Sequence, residues 1–322
     1  MRAIVTGGAG FIGSHIVDAL MQDKRFEEVI VIDNLSSGAY ENIMHWENDE
    51  RFHFARMDLT NIDEIVGIFK NVDVVFHFAA ESSVKIGSEY PEKMWRCNVV
   101  ATFNVLEAMR LNNVKNIVYA SSSTVYGDQV KIPTPEEAIL QPISMYGASK
   151  LAGEALILGY ANTFKMRGLI LRYANITGPR MRRGVVYDFV VKLLKNPNEL
   201  EILGDGTQRK SYLHVSDAVS ATMFLFDKFL NASSRFEIYN VGNIDWITVK
   251  EIADIVSEVL GVHPEYKFTG GVESGRGWIG DVKLMLLDIS KLRSKGWQPT
   301  MNSHEAVRQS AKEVYKEVKD KI

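Results

Sequence analysis

TGGAGFIGSH, Thr6 to His15, places four glycines in ten residues, directly behind the apolar run AIVT (Ala3–Thr6) and at the head of the helical pattern FIGSHIVDAL. Gly7, Gly10 and Gly13 are spaced GxxGxxG, and Gly8, Gly10 and Gly13 also satisfy GxGxxG. Glycine has no Cβ and tolerates positive φ, so this spacing describes a strand that turns sharply into a helix with its backbone bared. Unpaired N–H groups at the start of such a helix favour an anion. An acid, Asp33, closes the next apolar run VIVID (Val29–Asp33), twenty residues after Gly13. Strand, glycine turn, helix and distant acid together are the conditions for a dinucleotide loop. Gly7, Gly10, Phe11, Ile12 and Gly13 are then expected to face a pyrophosphate. Asp33 would accept hydrogen bonds from ribose hydroxyls and repel a 2'-phosphate, which selects NAD over NADP.

Outward from this stretch, short β-rich runs alternate with longer helical ones. FHFARM (Phe52–Met57), DVVFHF (Asp73–Phe78), NIVYAS (Asn116–Ser121) and LILRY (Leu169–Tyr173) read as further strands. Helices are predicted at about 12–24, 61–70, 92–111 and 146–166. Strands apolar on both faces, each followed by a crossover helix, predict an α/β fold with a doubly wound parallel Rossmann sheet. After Asn175 the rhythm breaks at the basic, turn-rich TGPRMRRG. The reading therefore puts an NAD-binding domain at 1–177, with a return of about 212–245 to the same sheet. A smaller mixed α/β substrate domain takes 178–211 and 246–322. The final EVYKEVKDKI is expected to be a solvated helix face.

Of the 322 residues, 46% are apolar and 24% charged, with a net charge of −3. Such a balance gives no reason to expect nucleic acid or an anionic membrane as partner. Cys97 is the only cysteine, so no intramolecular disulfide forms, metal-ligand spacings are missing, and a reducing compartment is expected. Met1 to Thr6 leads straight into a strand and no apolar run approaches a membrane span, so the expected location is the cytoplasm.

YGASK sets Tyr146 and Lys150 four residues apart at a helix start, on one face. It follows a strand ending in SSSTVYG (Ser121–Gly127) in a chain that already carries the glycine loop. With DNLSSG (Asp33–Gly38), HFAAESSV (His77–Val84), LRYANITGPR (Leu171–Arg180), GDGTQRKSYLHVSDA (Gly204–Ala218) and GRGWIGDVK (Gly275–Lys283), the chain resembles the extended short-chain dehydrogenase/reductases. Within them it is similar to the UDP-glucose (UDP-galactose) 4-epimerases of the compact archaeal and bacterial type. The resemblance implies that Tyr146 is the acid/base, that Lys150 holds the nicotinamide ribose and lowers the tyrosine pKa, and that Ser122 binds the substrate hydroxyl, with Ser121 and Thr124 as neighbours able to share that role. Tyrosine normally titrates near pH 10, so basicity near neutrality asks for about 4 kcal/mol of preferential stabilisation of the phenolate. Lys150 and a positive nicotinamide ring together reach it. Tyr146 would take the proton of sugar O4 while C4 passes hydride to NAD, and the keto sugar would turn over and receive it back on its other face.

Also by resemblance, Asn34, Ser36, Ser37, Gly38, Leu59, Phe78, Ala79, Ala80, Asn98, Ser121 and Tyr173 line the cofactor. Asp58 either faces the adenine or caps the helix that starts near Thr60. Ser83 and Asn175 meet the substrate, and Val185, Val186, Phe189, Glu201 and Ile202 flank the uracil. The diphosphate clamp falls to Arg276 and to one of Arg209 and Lys210, since Lys210 stands where an Arg is usual; Asp281 ranks behind Arg276. Met285 gates the space beside the sugar, and its flexible side chain leaves N-acetylhexosamines possible. Relatives that dehydrate carry Asp-Glu where this chain has Ser123 and Thr124, and relatives that decarboxylate UDP-glucuronate carry Glu at Thr124. The expected activity is therefore UDP-glucose 4-epimerase, with another UDP-hexose as the alternative. By the same resemblance, the long helices at 92–111 and 146–166 are expected to pair with their copies in a homodimer through a four-helix contact.

Overall fold

Ala3, Ile4 and Val5 lose all exposure to solvent, as residues do on a strand covered on both faces. They belong to β1 (Arg2–Thr6) in the computed structural model of the chain, which describes residues 1–272 and 275–322. The other strands of its sheet are β2 (Glu28–Ile32), β3 (Phe52–Ala55), β4 (Val74–His77), β5 (Asn116–Ser122), β6 (Arg167–Tyr173) and β7 (Phe236–Val241). Their order is β7-β6-β5-β4-β1-β2-β3. The sheet is mostly parallel, with Ala3 in register with both Val29 and Val74. The chain winds outward from β1 to β3 and then returns to β4 on β1's other side. The ends of β1 and β4 thus form the switch point at which doubly wound sheets bind ligands.

Helix α1 (Phe11–Gln22) buries Ile16, Val17 and Leu20 completely, each contributing about 1.5–3 kcal/mol. The helix expected at 92–111 is not continuous. One turn, Pro91–Met94, runs into a π-helical stretch, Trp95–Val100, before α2 (Ala101–Leu111) resumes regular geometry. The wide turns rotate Asn98 inward, where it is 1% exposed. Helix α3 (Met145–Phe164) carries Tyr146 and Lys150.

The chain divides into two compact units. The first comprises residues 1–125, 145–172 and 222–239; the second comprises 126–144, 173–221 and 240–322. These bounds differ from the expected ones. Residues 126–144 leave the first unit, because they bond within the second: Tyr126 Oη donates to Asn240 Oδ1 and Thr134 N–H to the Leu286 carbonyl. The strand expected from SYLHV, Tyr212–His214, pairs with Asn175–Thr177 instead of joining the large sheet. In the second unit, helices Val185–Lys195, Val249–Leu260 and Ser303–Val318 pack together. The terminal segment is not merely solvated: Val314 is fully buried and Val318 nearly so, the apolar stripe of an otherwise charged helix.

Candidate active site

The glycine loop lies at the switch point, and its geometry explains its composition. Gly7 has φ +67°, and a Cβ there would stand 2.6 Å from the backbone N and Cα of Ala79, in the loop after β4. A Cβ on Gly13 would stand 2.2 Å from the Gly7 carbonyl oxygen. Strand end, loop and helix therefore close on one another backbone to backbone. Gly10 is the N-cap of α1 and offers no side-chain bond to the first turn, so the N–H groups of Phe11, Ile12 and Gly13 are left for an anion. Asp33 accepts from Ala9 N–H at 3.0 Å and Leu35 N–H at 2.8 Å, which leaves lone pairs on both oxygens for hydroxyl donors. Burial pushes its carboxyl above the usual range against the pull of these two bonds. Gly38 keeps the space beside it open, since a Cβ there would lie 3.0 Å from Asp33 Oδ2. These features fit a dinucleotide.

Around this cradle, Asn34 folds onto its own turn, accepting from Ser36 N–H and donating to Asp58 Oδ2 at 3.1 Å. Ser37 lies beside it in the same loop. Asp58 is no helix cap, because it closes a turn on Thr60 while Asn61 stands at the cap position of the short helix Ile62–Ile65. Leu59 is buried in the core. Phe78, Ala79 and Ala80 follow β4, and Tyr173 ends β6. Asn98 donates to Ser149 Oγ at 2.8 Å and to the Glu81 carbonyl, while Ser149 Oγ donates to the Tyr146 carbonyl. Asn98 thus braces the first turn of α3 from below.

Ser122 ends β5. Its oxygen accepts from Thr124 N–H at 3.2 Å and from Thr124 Oγ1 at 3.0 Å, so its own proton is left for Tyr146. That bond pulls the Tyr146 pKa down, but burial outweighs it and the Glu81 carboxylate adds to the rise, so the phenol is pushed up to about 12. Lys150 Nζ donates to the Ala120 carbonyl at 2.8 Å and lies 5.9 Å from the Tyr146 ring centroid, nearer to the Tyr119 ring. Burial in turn lowers Lys150 to about 8, opposed by the charge of Glu154. Ser121 Oγ donates to Glu154 at 2.5 Å. Ser83 is engaged as well, capping the helix Val84–Glu89 through Ile86 N–H.

In the second unit, strand alternation separates the two adjoining cations. The Arg209 guanidinium lies 5.1 Å from the Trp246 ring centroid. Lys210 pairs with Asp281 at 2.5 Å, whose carbonyl accepts from Arg276 at 2.7 Å. Arg276 also pairs with Asp128 at 2.7 Å. Met285 is in register with Lys210 on the neighbouring strand. Asn175 donates to the Ser211 carbonyl at 3.2 Å. Val186 and Ile202 are fully buried and Phe189 nearly so, which commits them to packing, whereas Val185 and Glu201 retain exposure. No cluster of three metal-ligating side chains occurs among the described residues, and no helix among them is long and apolar enough to cross a membrane.

Residues that the sequence did not single out also act on Tyr146 and Lys150: Glu81, Glu154, which pairs with Arg172, and the buried His77. Their only local signal is a charged or polar residue inside an otherwise apolar strand or helix face.

Residues 3–242 match the model of the NAD dependent epimerase/dehydratase family. The fold and sequence are similar to a solved UDP-galactose 4-epimerase, with a TM-score of 0.88, 48% identity, and 99% of this chain and 100% of that one covered. UDP-glucose 4-epimerase of Mycolicibacterium smegmatis is 34% identical over 95% of this chain and 96% of its own length. UDP-glucuronic acid decarboxylase 6 of Arabidopsis thaliana is 33% identical over 95% of this chain and 87% of its own.

Proposed function

The chain belongs to the NAD dependent epimerase/dehydratase family, with NAD as its cofactor, and from that premise we propose that it is a UDP-glucose 4-epimerase, interconverting UDP-galactose and UDP-glucose. Bound NAD supplies a hydride acceptor at sugar C4 that returns the hydride in the same turnover, and a positive ring. The chain's residues handle the proton. Tyr146 exchanges it with sugar O4, Ser122 holds that hydroxyl, and Lys150 steadies the phenolate and the ribose. A phenol that burial holds at about 12 stays protonated by itself, so it becomes a base only when positive charge arrives with the cofactor. Lys210 and Arg276, converging on Asp281, grip the diphosphate, leaving the hexose free to turn over. The reaction belongs in the cytoplasm, where sugar nucleotides and reduced thiols coexist.

The observation that carries this reading over dehydration or decarboxylation is the state of Ser123 and Thr124. Ser123 is buried, and Thr124 spends its hydroxyl on Ser122. Neither is an acid or base near neutrality, so beyond Tyr146 this stretch supplies no group to remove a C5 proton. The purified protein is expected to convert UDP-galactose to UDP-glucose without added reductant. Tyr146→Phe should lower kcat by 100-fold or more, about the range of general acid–base catalysis, while NAD binding persists; retained turnover would remove Tyr146 from this role.

Met285 favours a second, weaker activity on N-acetylhexosamines. It is unbranched and flexible, and it is buried on a short strand in register with Lys210. Slow turnover of UDP-N-acetylglucosamine is expected, and Met285→Tyr should suppress it at least about 10-fold relative to UDP-glucose, the scale of one side chain's filling of a pocket. A ratio of the two rates unchanged by the substitution refutes the gate.

A further inference from the structure

Trp278 lies in the turn that closes on Asp281, whose N–H donates to the Trp278 carbonyl at 3.2 Å. The Asp281 carboxylate in turn accepts from Gly277 N–H at 3.3 Å and from Lys210 Nζ at 2.5 Å. The turn is folded back on itself and holds the indole against the lysine, with Nζ 5.7 Å from the Trp278 ring centroid. Lys210 and Arg276 are each matched by a carboxylate, Asp281 for the lysine and Asp128, at 2.7 Å, for the arginine. The indole is different. Its Nε1–H is buried, yet it meets no acceptor among the described residues. An indole nitrogen donates and cannot accept, and a buried donor left unpaired loses its hydration with nothing in return. Packing does not require the polar atom, because phenylalanine would offer the same lysine an aromatic face without one. An unpaired donor held beside a cation suits an anionic oxygen.

We propose that Trp278 Nε1–H is a ligand of the nucleotide diphosphate, a neutral donor that completes the grip of Lys210 and Arg276. The inference rests on the diphosphate site proposed above. Both cations are paired before the substrate arrives, so an incoming diphosphate must compete with Asp281 and Asp128 for them. The indole needs no such exchange. Its N–H gives up no acceptor, carries no net charge, and is aimed by a ring that the turn already holds in place, so little ordering is left to be done on binding. The gain falls on the diphosphate and not on the hexose. It therefore strengthens binding of substrate and transition state alike and leaves the keto sugar free to turn over.

The test uses the NAD-loaded protein labelled with 15N at its tryptophan indoles. Of the five tryptophans, Trp278 is the one whose indole signal is missing in Trp278→Phe. Should that variant not fold, replacing each of the other tryptophans by phenylalanine in turn assigns the signal by elimination. On addition of UDP the Trp278 indole proton should move downfield, as a proton does when it meets a phosphate oxygen, and excess uridine should leave it in place. A signal that UDP does not move, or that uridine moves as far, overturns the proposal. In calorimetry, Trp278→Phe should raise the Kd of UDP about 10-fold, the scale of one hydrogen bond to a charged group, and that of uridine less than about 2-fold. Equal weakening of both ligands marks a merely structural role and overturns the proposal, as does an unchanged Kd for UDP. KM for UDP-galactose should rise by the same factor as the Kd of UDP, with kcat nearly unchanged. An indole shift specific to UDP in a protein that does not epimerise UDP-galactose would refute the proposed reaction and leave the ligand standing. Epimerisation with an immobile indole signal would refute the ligand alone.

Discussion

Arg209 and Lys210 are neighbours in sequence, carry the same charge, and point to opposite sides of one short strand. Lys210 meets Asp281, to whose carbonyl Arg276 donates, whereas Arg209 lies over the Trp246 ring. A diphosphate entering at Lys210 and Arg276 would replace carboxylate partners with phosphate oxygens, a like-for-like exchange that keeps both cations neutralised. Lys210→Met should therefore raise KM for UDP-galactose about 10- to 100-fold with a smaller change in kcat, the pattern of lost ground-state binding. Lys210→Arg should recover most of it, since Asp281 again has a partner. Arg209→Met should change KM less than about 3-fold, as exposed cations usually do. Steady-state kinetics on the three variants checks the assignment, and a larger effect at Arg209 would reverse it.

Among elements, β1, β4 and the start of α2 are joined through His77. Thr102 Oγ1 donates to the Asn98 carbonyl at 2.6 Å, so it accepts from His77 Nε2–H, and Nδ1 is then the acceptor for the Thr6 hydroxyl. The neutral ring is fully satisfied, and a second proton would face a donor. Burial, with the charge of Lys150 adding to it, holds the His77 pKa down to about 3. Unfolded, the ring titrates near 6.5, so between these values the unfolded chain binds the extra proton and stability falls as pH falls. About 2–3 kcal/mol should be lost between pH 7 and 4.5 from this group alone. Urea unfolding at several pH values should show a flatter acid limb in His77→Gln; parallel limbs would exclude His77 as a source. Such links mark where sequence reading stops. The glycine loop, Asp33 and the Tyr146–Lys150 spacing were legible because each requirement is local: a missing Cβ, a strand end, one helical turn. The π-helical turns were not, since Trp95–Val100 keeps the apolar pattern of a regular helix. Nor was the Glu154–Arg172 pair, whose meaning appears only when β6 lies beside α3. The pairing of Tyr212–His214 with Asn175–Thr177, rather than with the large sheet, depends on edge competition that a three-residue strand cannot announce.

At the scale of the molecule, the first unit presents an aromatic surface that its own fold does not cover. Phe103 on α2 meets Tyr160 of α3 edge-on at 6.5 Å, Tyr160 lies tilted against Phe164 at 5.1 Å, and Arg110 lies 5.5 Å from the Phe164 ring centroid. Phe103, Leu111 and Phe164 remain 44%, 57% and 41% exposed, and Trp95 in the wide turns is 57% exposed. Exposed aromatic surface on α2 and α3 is costly in water, and we propose it as an interface. A second copy is the proposed occupant, because a two-fold axis through two helices brings each residue of the patch against the same patch and buries it twice for one set of contacts. Completing the burial of one such ring contributes about 1–2 kcal/mol per copy. A charge at its centre should outweigh that gain, since two carboxylates would meet across the axis. Light scattering is expected to give the mass of two chains for the unaltered protein and of one for Phe103→Glu at micromolar concentration. The site residues of each unit lie within one chain, so the dissociated variant should still bind NAD. A single-chain mass for the unaltered protein would refute the pairing, and a Phe103→Glu protein that remains two chains would move the interface away from α2 and α3.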